Sequence, residues 1–375
     1  MDAHHKPSEA AGESFVKPDA GLQPPPAELL ELASGVREAP PLGTMPGEEE
    51  AAATEERRGA SPWQESLRRL RRDKRAMASL GLIIFFVLVA FFGPPIYQHI
   101  GGVYDSPQNG PVPASVYHTY YHEELIRQDE GPSAQYWLGT DDLGRDILAR
   151  LMQGMLVSII VAALVEMVDI GLGLTVGVLA GYFGGWIDQV LARFTDLMFA
   201  FPGLLFAIML TGIIGPGASD ALAKLPIIGP NGNGRLLLVS LALAITVWPL
   251  MARYVRGQTL QLKEQQFIEA ARTAGSSDLR IIFRHIIPNL MSIVVVASTL
   301  NISNTIIGEA GISLLGLGVQ APGSSLGLMI SDATPYINTH PWEILVPTTV
   351  LALIVLAFSF LGDGLRDAFD PRSKD

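Results

Sequence analysis

Residues 76–97 read AMASLGLIIFFVLVAFFGPPIY, a run without a charged side chain that follows the basic stretch RRLRRDKR at residues 68–75. About 20 apolar residues in a helix span the hydrocarbon core of a bilayer. Inside that core every backbone amide needs a partner within its own segment, which a helix provides. The run therefore predicts a membrane-spanning helix. It has no small-residue cleavage pattern after it, so we expect a retained anchor rather than a signal peptide.

Five further segments have the length and apolar character of spans. They cover residues 154–182, 190–214, 236–252, 289–315 and 344–361. Only 17% of the 375 residues are charged and the mean hydropathy is +0.31, whereas soluble proteins carry about a quarter charged residues. The sequence thus predicts an all-α integral membrane protein with six transmembrane helices. It contains no cysteine, which excludes disulfide scaffolds, thiolate metal sites and cysteine nucleophiles.

Composition divides the chain into six predicted parts. The parts are a disordered cytoplasmic tail at 1–60, a basic membrane-surface segment at 61–75, the first helix at 76–97, an extracytoplasmic segment at 98–150, a core of five spans at 151–364 and a cytoplasmic tail at 365–375. The net charge of −11 comes mostly from the first part, which is rich in Glu, Pro and Ala and cannot bury enough apolar surface to fold. Because the negative net charge comes mostly from one tail, it does not indicate which partners the rest of the chain binds.

Basic residues set the predicted orientation, because cytoplasmic loops are enriched in Lys and Arg. The cluster at 68–75 places the amino terminus in the cytoplasm. Six crossings then place the basic 253–288 loop and the carboxyl terminus on the same side. Arg145 and Arg150 depart from the rule, since they fall on the outer side, but neighbouring aspartates balance them.

The 253–288 loop contains a predicted helix-turn-helix. Residues 258–274 have no Gly or Pro and favour a helix, Gly275 suits a left-handed stop, and Ser276 or Ser277 suits the cap of a second short helix. One side of the first helix carries Phe267, Ala270, Ala271 and Ala274. Small side chains there permit close approach by another protein. The alternative is a connector that packs only on its own bundle.

Polar side chains inside the predicted spans are the candidate lining of a pathway. Ser298, Asn301, Thr305 and Glu309 recur every three or four residues and therefore form one stripe on the fifth span. A polar stripe in a membrane helix usually faces protein or water rather than lipid. Two interpretations remain open: the stripe lines the pathway, or it makes hydrogen bonds between helices.

Two carboxyl groups, Glu166 and Asp169, lie three residues apart on one face of the second span. Carboxylates in a bilayer are costly unless they are paired, protonated or wet. One hypothesis is that both face a cavity and meet a cationic group of a substrate or a Lys or Arg of a partner subunit. The other is that they sit near a rim of the membrane.

Glycine and proline mark further features of the spans. Gly171, Gly173, Gly177 and Gly181 let the second span approach a neighbouring helix closely, as in ordinary bundle packing. Pro202 and Pro249 fall within or near the third and fourth spans, where a proline allows a bend.

Several motifs resemble one family of transport proteins. The sequence Glu269-Ala270-Ala271, three residues and then Gly275 resembles the EAA loop of ABC importer permeases. Other motifs resemble the dipeptide and oligopeptide permease subunits of the DppC/OppC type. They are LGTDDLGRD at 138–146, AGYFGGWID at 180–188, FAFP at 199–202, LLGLGVQ at 314–320 and LGDGLRD at 361–367. Together the motifs cover roughly residues 76–372.

The resemblance implies a MetI-like permease fold with a cytoplasmic coupling helix-turn-helix. It implies that Glu269, Ala270, Ala271, Arg272 and Gly275 contact an ATPase subunit. It further implies import of dipeptides or oligopeptides by alternating access, through a bacterial or archaeal cytoplasmic membrane. The expected partners are a homologous second permease subunit, two ATP-binding subunits, an extracytoplasmic solute-binding protein and the lipid bilayer, with no nucleic acid. This chain would bind no cofactor, because ATP and magnesium belong to the partners; a nickel or other small-solute importer is the alternative.

Other function classes have weaker support. The chain has no Gly-x4-Gly-Lys-Ser/Thr phosphate loop and no Gly-x-Ser-x-Gly nucleophile elbow, so we expect neither an ATPase site nor a catalytic site. His118 and His122 have the spacing of a zinc hydrolase motif, but Thr119 replaces its glutamate, and we expect a solvated loop pair and no metal site. A passive channel would not need the cytoplasmic helix pair.

Aromatic residues are concentrated in the 98–150 segment. They include Tyr104, Tyr117, Tyr120, Tyr121, Tyr136 and Trp137. Two interpretations are open for each: a docking surface for the solute-binding protein, which the family resemblance implies, or an aromatic belt at the lipid headgroups.

Overall fold

The computed structural model describes residues 62–223 and 233–369, most of which are helical. The helices are α1 (Pro62–Arg72), α2 (Lys74–Tyr97), α3 (Ala114–Tyr117), α4 (Ile147–Phe183), α5 (Gly185–Phe199), α6 (Gly203–Ala223), α7 (Asn233–Leu262), α8 (Gln266–Thr273), α9 (Asp278–Ile281), α10 (Ile287–Leu314), α11 (Leu326–Ala333) and α12 (Pro341–Phe369). Strands β1 (Val103–Ser106) and β2 (Gly110–Pro113) form an antiparallel hairpin in which Val103 pairs with Pro113. The predicted tail at 1–60 and the end of the 365–375 tail lie outside the described residues.

Five of the described helices are long and apolar enough to cross a membrane, namely α2, α4, α7, α10 and α12, with α9 and α10 counting as one run. A sixth crossing is formed if α5 and α6 act as one span, since together they also qualify. The all-α, membrane-spanning class is therefore confirmed.

The third span differs from its prediction. We predicted one helix over residues 190–214, but α5 and α6 meet at a bend of 77° across residues 200–202. Pro202 lies at this break, where its missing amide hydrogen and its ring prevent the helix from continuing. Ion pairs between α5 and α7 hold the first half in place: Asp188 accepts from Arg256 at 2.5 and 2.7 Å, and Asp196 accepts from Arg253 at 2.8 Å.

Helix α4 lies at the centre of the bundle and contributes to all three large apolar clusters. It is packed tightly against α7 because three of its glycines face that helix. A Cβ atom at Gly177 would lie 2.6 Å from the carbonyl oxygen of Ala252, and Gly173 and Gly181 are similarly confined. Gly171 has nothing within 4 Å. Close approach of a neighbour is thus confirmed for three of the four predicted glycines.

The first and last spans pack together beside α4. Ala90 of α2 is fully buried in the cluster that also holds Ile354 of α12. Near the other end of α2, Gly364 of α12 lies against Ala76. The same end carries α1, whose Leu70 packs on Ala368. Helix α1, which forms most of the basic segment, is therefore fixed to the bundle by its apolar side.

Helices α9 and α10 form one unbroken run of 37 residues, Asp278–Leu314. They are joined by a π-helical turn at Ile282–Ile286. Pro288 follows directly, in the first turn of α10. A π-helical turn shifts the hydrogen-bond register, and it occurs where the α-helical ladder meets an obstacle such as proline. The short helix and the span are consequently continuous.

The loop between the fourth and fifth spans also differs from its prediction. We predicted one helix over residues 258–274, but α7 runs on to Leu262 and a break at 263–265 separates it from α8. After the break, α8 folds back so that Ile268 is completely buried among α4, α7 and α10. A continuous helix would carry Ile268 away from that cluster. Burial of one apolar side chain, worth roughly 1.5–3 kcal/mol, favours the break.

The 98–150 segment is a folded unit built on the start of α4. Helix α4 begins at Ile147, earlier than the predicted start near residue 154, because Asp146 caps it by accepting from the amides of Leu148 and Ala149. Tyr117 and Tyr136 are buried in the small core of this unit with Val112. The segment lies at the end of the bundle opposite to α8 and α9.

Candidate functional site

The predicted coupling residues form an exposed surface on α8 and the turn after it. Glu269, Ala270 and Arg272 are exposed, Gly275 is exposed in the turn, and Ala271 is half-buried against the bundle. Glu269 and Ala270 line a shallow open groove whose other lining residues are Gln266, Thr273 and Ala274. Because α8 has one buried residue, Ile268, and an exposed opposite side, it presents a surface that residues 62–223 and 233–369 leave uncovered.

The turn after α8 needs glycine for its backbone conformation. Gly275 has φ +80°, in the left-handed region, and a Cβ atom there would meet nothing within 4 Å. The amide of Ser276 donates to Ala271 at 3.0 Å and that of Gly275 to Arg272 at 2.9 Å, which closes the helix end with a Schellman motif. Ser277 occupies the cap position of α9 without a side-chain hydrogen bond. The predicted left-handed stop is confirmed.

The helix pair is fixed to the bundle by apolar packing and one polar contact. Ile281 and Ile286 are fully buried against α4 and α7. The hydroxyl of Tyr182, near the end of α4, donates to Asp278 at 2.7 Å, and the guanidinium of Arg272 lies 5.4 Å from the Tyr182 ring centre. Sequence reasoning missed this contact because the partners are 96 residues apart. The helix pair is thus in direct contact with α4 and continuous with α10.

Three of the candidate pathway residues meet between α4 and α10. Asn301 donates to Glu166 at 2.7 Å and to Asp169 at 3.4 Å. Both carboxyl groups are buried, and among the described residues Glu166 Oε2 and Asp169 Oδ1 have no hydrogen-bond partner. Ser298 is buried one turn before Asn301. The two acids therefore face α10 with part of their hydrogen-bonding capacity free.

The other end of the predicted stripe forms a separate contact. Glu309 is completely buried and accepts from Ser158 of α4 at 3.0 Å and from Ser313 at 2.7 Å. Thr305 is buried between the two groups. Asn301 and Glu309 are eight residues apart, about 12 Å along a helix, so the two contacts are distinct. Asn301 and Glu309 therefore make hydrogen bonds to α4, whereas the hydroxyls of Ser298 and Thr305 have no hydrogen-bond partner among the described residues.

A charged cluster joins the 98–150 segment to α11. Arg150, which is 2% exposed, contacts Asp141 and donates to Asp332 at 2.8 Å. Arg145 donates to Asp141 at 2.8 Å. Burial, with Asp141 beside it, raises the pKa of the Asp142 carboxyl. The neighbouring aspartates were expected from the sequence, but Asp332 is 182 residues from Arg150 and was missed.

The two histidines with the hydrolase spacing contact different carboxylates. His118 is buried and lies 2.7 Å from Asp146, whereas Nε2 of His122 is 3.9 Å from Glu124. Burial lowers the pKa of His122. Our expectation of a solvated pair is therefore wrong for His118, because it fills the space beside the cap of α4.

The aromatic residues of the 98–150 segment fall into two groups. Tyr117 and Tyr136 are buried in the core of the segment, where burial raises the pKa of both phenols. Arg127 lies 4.7 Å from the Tyr136 ring centre. Tyr121 and Trp137 are about half exposed. For the buried pair both predicted roles are wrong, since their rings stabilise the segment itself.

Two families match the chain over separate ranges. Residues 173–375 match the family described as binding-protein-dependent transport system inner membrane component. Residues 61–109 match the N-terminal TM domain of oligopeptide transport permease C.

Curated relatives align with most of the chain. The dipeptide transport system permease protein DppC of Alkalihalophilus pseudofirmus is 36% identical over 84% of this chain and 91% of its own length. The oligopeptide transport system permease protein OppC of Bacillus subtilis is 35% identical over 84% and 92%. The glutathione transport system permease protein GsiD of Pectobacterium atrosepticum is 37% identical over 84% and 92%.

Among solved structures, the inward-facing MetNI methionine ABC transporter aligns with 58% of this chain and 95% of its own chain. The TM-score is 0.45 and the sequence identity is 18%.

Proposed function

The chain belongs to the family of binding-protein-dependent inner membrane transport components, and from this premise we propose that it imports dipeptides or oligopeptides as one permease subunit of an ABC transporter. A permease of this family is a non-enzymatic membrane component, and ATP hydrolysis belongs to a separate subunit. The motif resemblance to DppC/OppC-type permeases is confirmed by relatives that align with 84% of the chain. Their peptide substrates, and the glutathione named for a third relative, support small peptides as the class transported here. The nickel alternative has no corresponding support among these relatives.

The observation that carries the proposal is the exposed surface of α8. Glu269 and Ala270 lie on a helix that is anchored by Ile268 on one side and open on the other. In this proposal the cleft of an ATP-binding subunit receives α8, and Arg272 and Gly275 complete the contact. Ala271 supports it from the half-buried side. The small side chain at 270 lets the two backbones approach closely.

The same proposal assigns the remaining components to other chains. A homologous permease subunit forms the second half of the pathway, two ATP-binding subunits hold ATP and magnesium, and an extracytoplasmic solute-binding protein delivers the peptide. This chain itself binds neither ATP nor magnesium. Exposed aromatic rings of the 98–150 segment, Tyr121 and Trp137, are available for the solute-binding protein. The assembly lies in a bacterial or archaeal cytoplasmic membrane with both termini of this chain in the cytoplasm, as the basic 68–75 and 253–288 stretches favour.

Movement of the helix pair would drive alternating access. When the ATP-binding subunits close, they displace α8 and α9, and the run Asp278–Leu314 tilts with them because it is one helix of 37 residues. Such a helix is about 55 Å long, so a tilt of about 5° moves its far end by about 5 Å. Asn301 lies about 35 Å from the start of the run, so the same tilt moves it by about 3 Å and separates it from Glu166 and Asp169. In one state the polar groups between α4 and α10 bind each other, and in the other state they are free to bind a peptide.

A reconstituted uptake assay tests the proposed function. The chain is assembled with its partner permease, ATP-binding subunits and solute-binding protein in proteoliposomes that contain ATP and magnesium. We expect uptake of a labelled dipeptide or oligopeptide that stops when ATP is replaced by a non-hydrolysable analogue. Ni²⁺ and glutathione serve as the competing substrates. ATP-dependent uptake of Ni²⁺ without uptake of any peptide would overturn the substrate class.

Neutral isosteres of the two buried acids should change selectivity. In the Glu166→Gln, Asp169→Asn double variant we expect uptake of lysine-containing dipeptides to fall about fivefold relative to neutral dipeptides, because an attraction of about 1 kcal/mol is lost. The ratio of the two uptake rates is the measurement. Asp363→Asn, which neutralises an exposed acid on α12, should leave the ratio unchanged. An unchanged ratio in the double variant would mean that the acids serve only the contact with Asn301.

A further inference from the structure

Three side chains that could hold a metal ion converge where the 98–150 segment meets α12. Each of Asp129, His340 and Glu343 offers one ligand atom, and these atoms lie within 4.8 Å of one another. His340 and Glu343 are three residues apart at the start of α12, where the amide of Glu343 donates to the carbonyl of His340 at 3.2 Å and the turn directs both side chains to one side. Asp129 comes from a loop far earlier in the chain. Its backbone amide donates a hydrogen bond to the carbonyl of Asp141 at 3.0 Å, which holds the loop in place.

The converging atoms have unused hydrogen-bonding capacity. Glu343 is 3% exposed, and its Oε1 has no hydrogen-bond partner among the described residues. The same is true of Oδ1 of Asp129 and Nδ1 of His340, and the last atom lies 3.8 Å from the other Asp129 oxygen. A buried polar atom without a partner costs about 1–3 kcal/mol, and more if it is charged. Three such atoms in one place are explained most directly by a ligand that satisfies all of them.

The charges around the cluster point to a cation. Glu343 lines a small cavity beside the charged cluster of Arg150. The carboxylates of this region are those of Asp129, Asp141, Asp142, Asp332 and Glu343, whereas the guanidinium groups are those of Arg145 and Arg150. Arg150 and Arg145 are already paired with Asp141 and Asp332. Asp129 and Glu343 therefore face each other without a guanidinium partner. Among the side chains of this cluster, His340 is the one remaining neighbour that can carry a positive charge.

We propose that Asp129, His340 and Glu343 bind a divalent transition-metal cation of the Zn²⁺ or Mn²⁺ kind. One imidazole nitrogen and two carboxylate oxygens form a donor set that suits these ions, which accept mixed nitrogen and oxygen ligands. Three protein ligands leave further positions for water. The site lies apart from the α8 surface and from Asn301, and it does not depend on which solute the protein carries.

The cation would act as a structural clamp. It connects the loop of Asp129 to the first turn of α12, two parts of the chain that are distant in sequence. Two carboxylates that would repel each other become ligands of one ion. Binding to the folded chain alone stabilises it according to the affinity of the site.

Zn²⁺ binding to the full-length chain tests the proposal directly. The protein is purified in nanodiscs without a polyhistidine tag and titrated with ZnCl₂ by calorimetry. We expect one ion per chain, with affinity at least about tenfold weaker in Asp129→Asn, His340→Gln and Glu343→Gln variants. His99→Gln and Glu123→Gln change an exposed histidine and an exposed acid elsewhere and should bind as the wild type does. A His4→Gln, His5→Gln variant should also retain the ion.

Two further readouts distinguish a bound metal ion from a proton shared by the two acids. Zinc should raise the unfolding temperature of the wild type but not of His340→Gln, a variant that we expect to fold because the His340 side chain is only partly buried. X-ray absorption at the zinc edge should report mixed nitrogen and oxygen ligation. If the carboxyls of Asp129 and Glu343 instead share a proton, the wild type and all three variants will bind zinc equally or not at all. Either result overturns the proposal.

Discussion

A leucine at Gly177 will separate α4 from α7 and prevent the chain from reaching a transport-competent fold. A Cβ atom at this position would lie 2.6 Å from the carbonyl oxygen of Ala252 and 2.7 Å from Cβ of Val255. Real atoms do not approach so closely, and two of the obstructing groups belong to or adjoin backbone. The helices must therefore move apart along their contact. We expect a loss of about 3 kcal/mol or more in the free energy of unfolding.

Gly171 provides the matched control on the same helix. It is exposed, and a Cβ atom there would meet nothing within 4 Å. A leucine at position 171 should leave stability unchanged or raise it slightly, because glycine costs about 1 kcal/mol relative to good helix formers. Thermal unfolding in detergent and elution as a single folded species are the measurements. Equal stability of the two variants would contradict the close contact between α4 and α7.

A tryptophan at Ala270 will nearly abolish ATP-driven uptake while leaving the chain folded. Ala270 is exposed and lines the groove on α8, so the larger side chain has room in the isolated chain. In the assembled transporter the same side chain occupies the space that the ATP-binding subunit needs. A loss of about 2 kcal/mol at such a contact weakens association about thirtyfold. We expect uptake in proteoliposomes to fall at least as much.

Ala352→Trp is the control for the effect of a larger side chain at a position outside α8. Ala352 is exposed on α12, within the apolar part of the bundle and away from α8. This variant should assemble with the ATP-binding subunits and transport normally. Co-purification of those subunits, together with ATPase activity with and without substrate, distinguishes lost assembly from lost coupling. Normal uptake by the Ala270→Trp variant would show that α8 does not form the contact.

The long helices could be predicted from the sequence because hydrocarbon imposes one simple requirement on the backbone. Apolar runs of sufficient length identified α2, α4, α7, α10 and α12, and the glycine spacing of α4 predicted close approach by a neighbouring helix without indicating which one. A bend at Pro202 was allowed for, but a break of 77° between two separate helices was not predicted. Length and hydropathy are the same for a straight span and a bent pair. The angle between the two halves depends on how each packs on α7, where the Asp188–Arg256 ion pair holds the half that precedes the proline.

The candidate sites were predictable only where periodicity sufficed. The spacing of Ser298, Asn301 and Glu309 predicted a common face, and that face does lie against α4. Which partner each would meet could not be read from spacing, since Ser158 and Glu166 lie on another helix. The break before α8 depends on a tertiary cluster around Ile268 and carries no local signal. The cluster at Asp129 joins residues far apart in the sequence, although His340 and Glu343 alone have a ligand-like spacing.

One carboxylate joins the 98–150 segment to the first turn of the central helix α4. Oδ1 of Asp146 accepts from the amides that open α4, while Oδ2 lies against the buried imidazole of His118. The first turn of α4 and the folded 98–150 segment are therefore held by the same carboxylate. Neither can rotate relative to the other without breaking hydrogen bonds of Asp146.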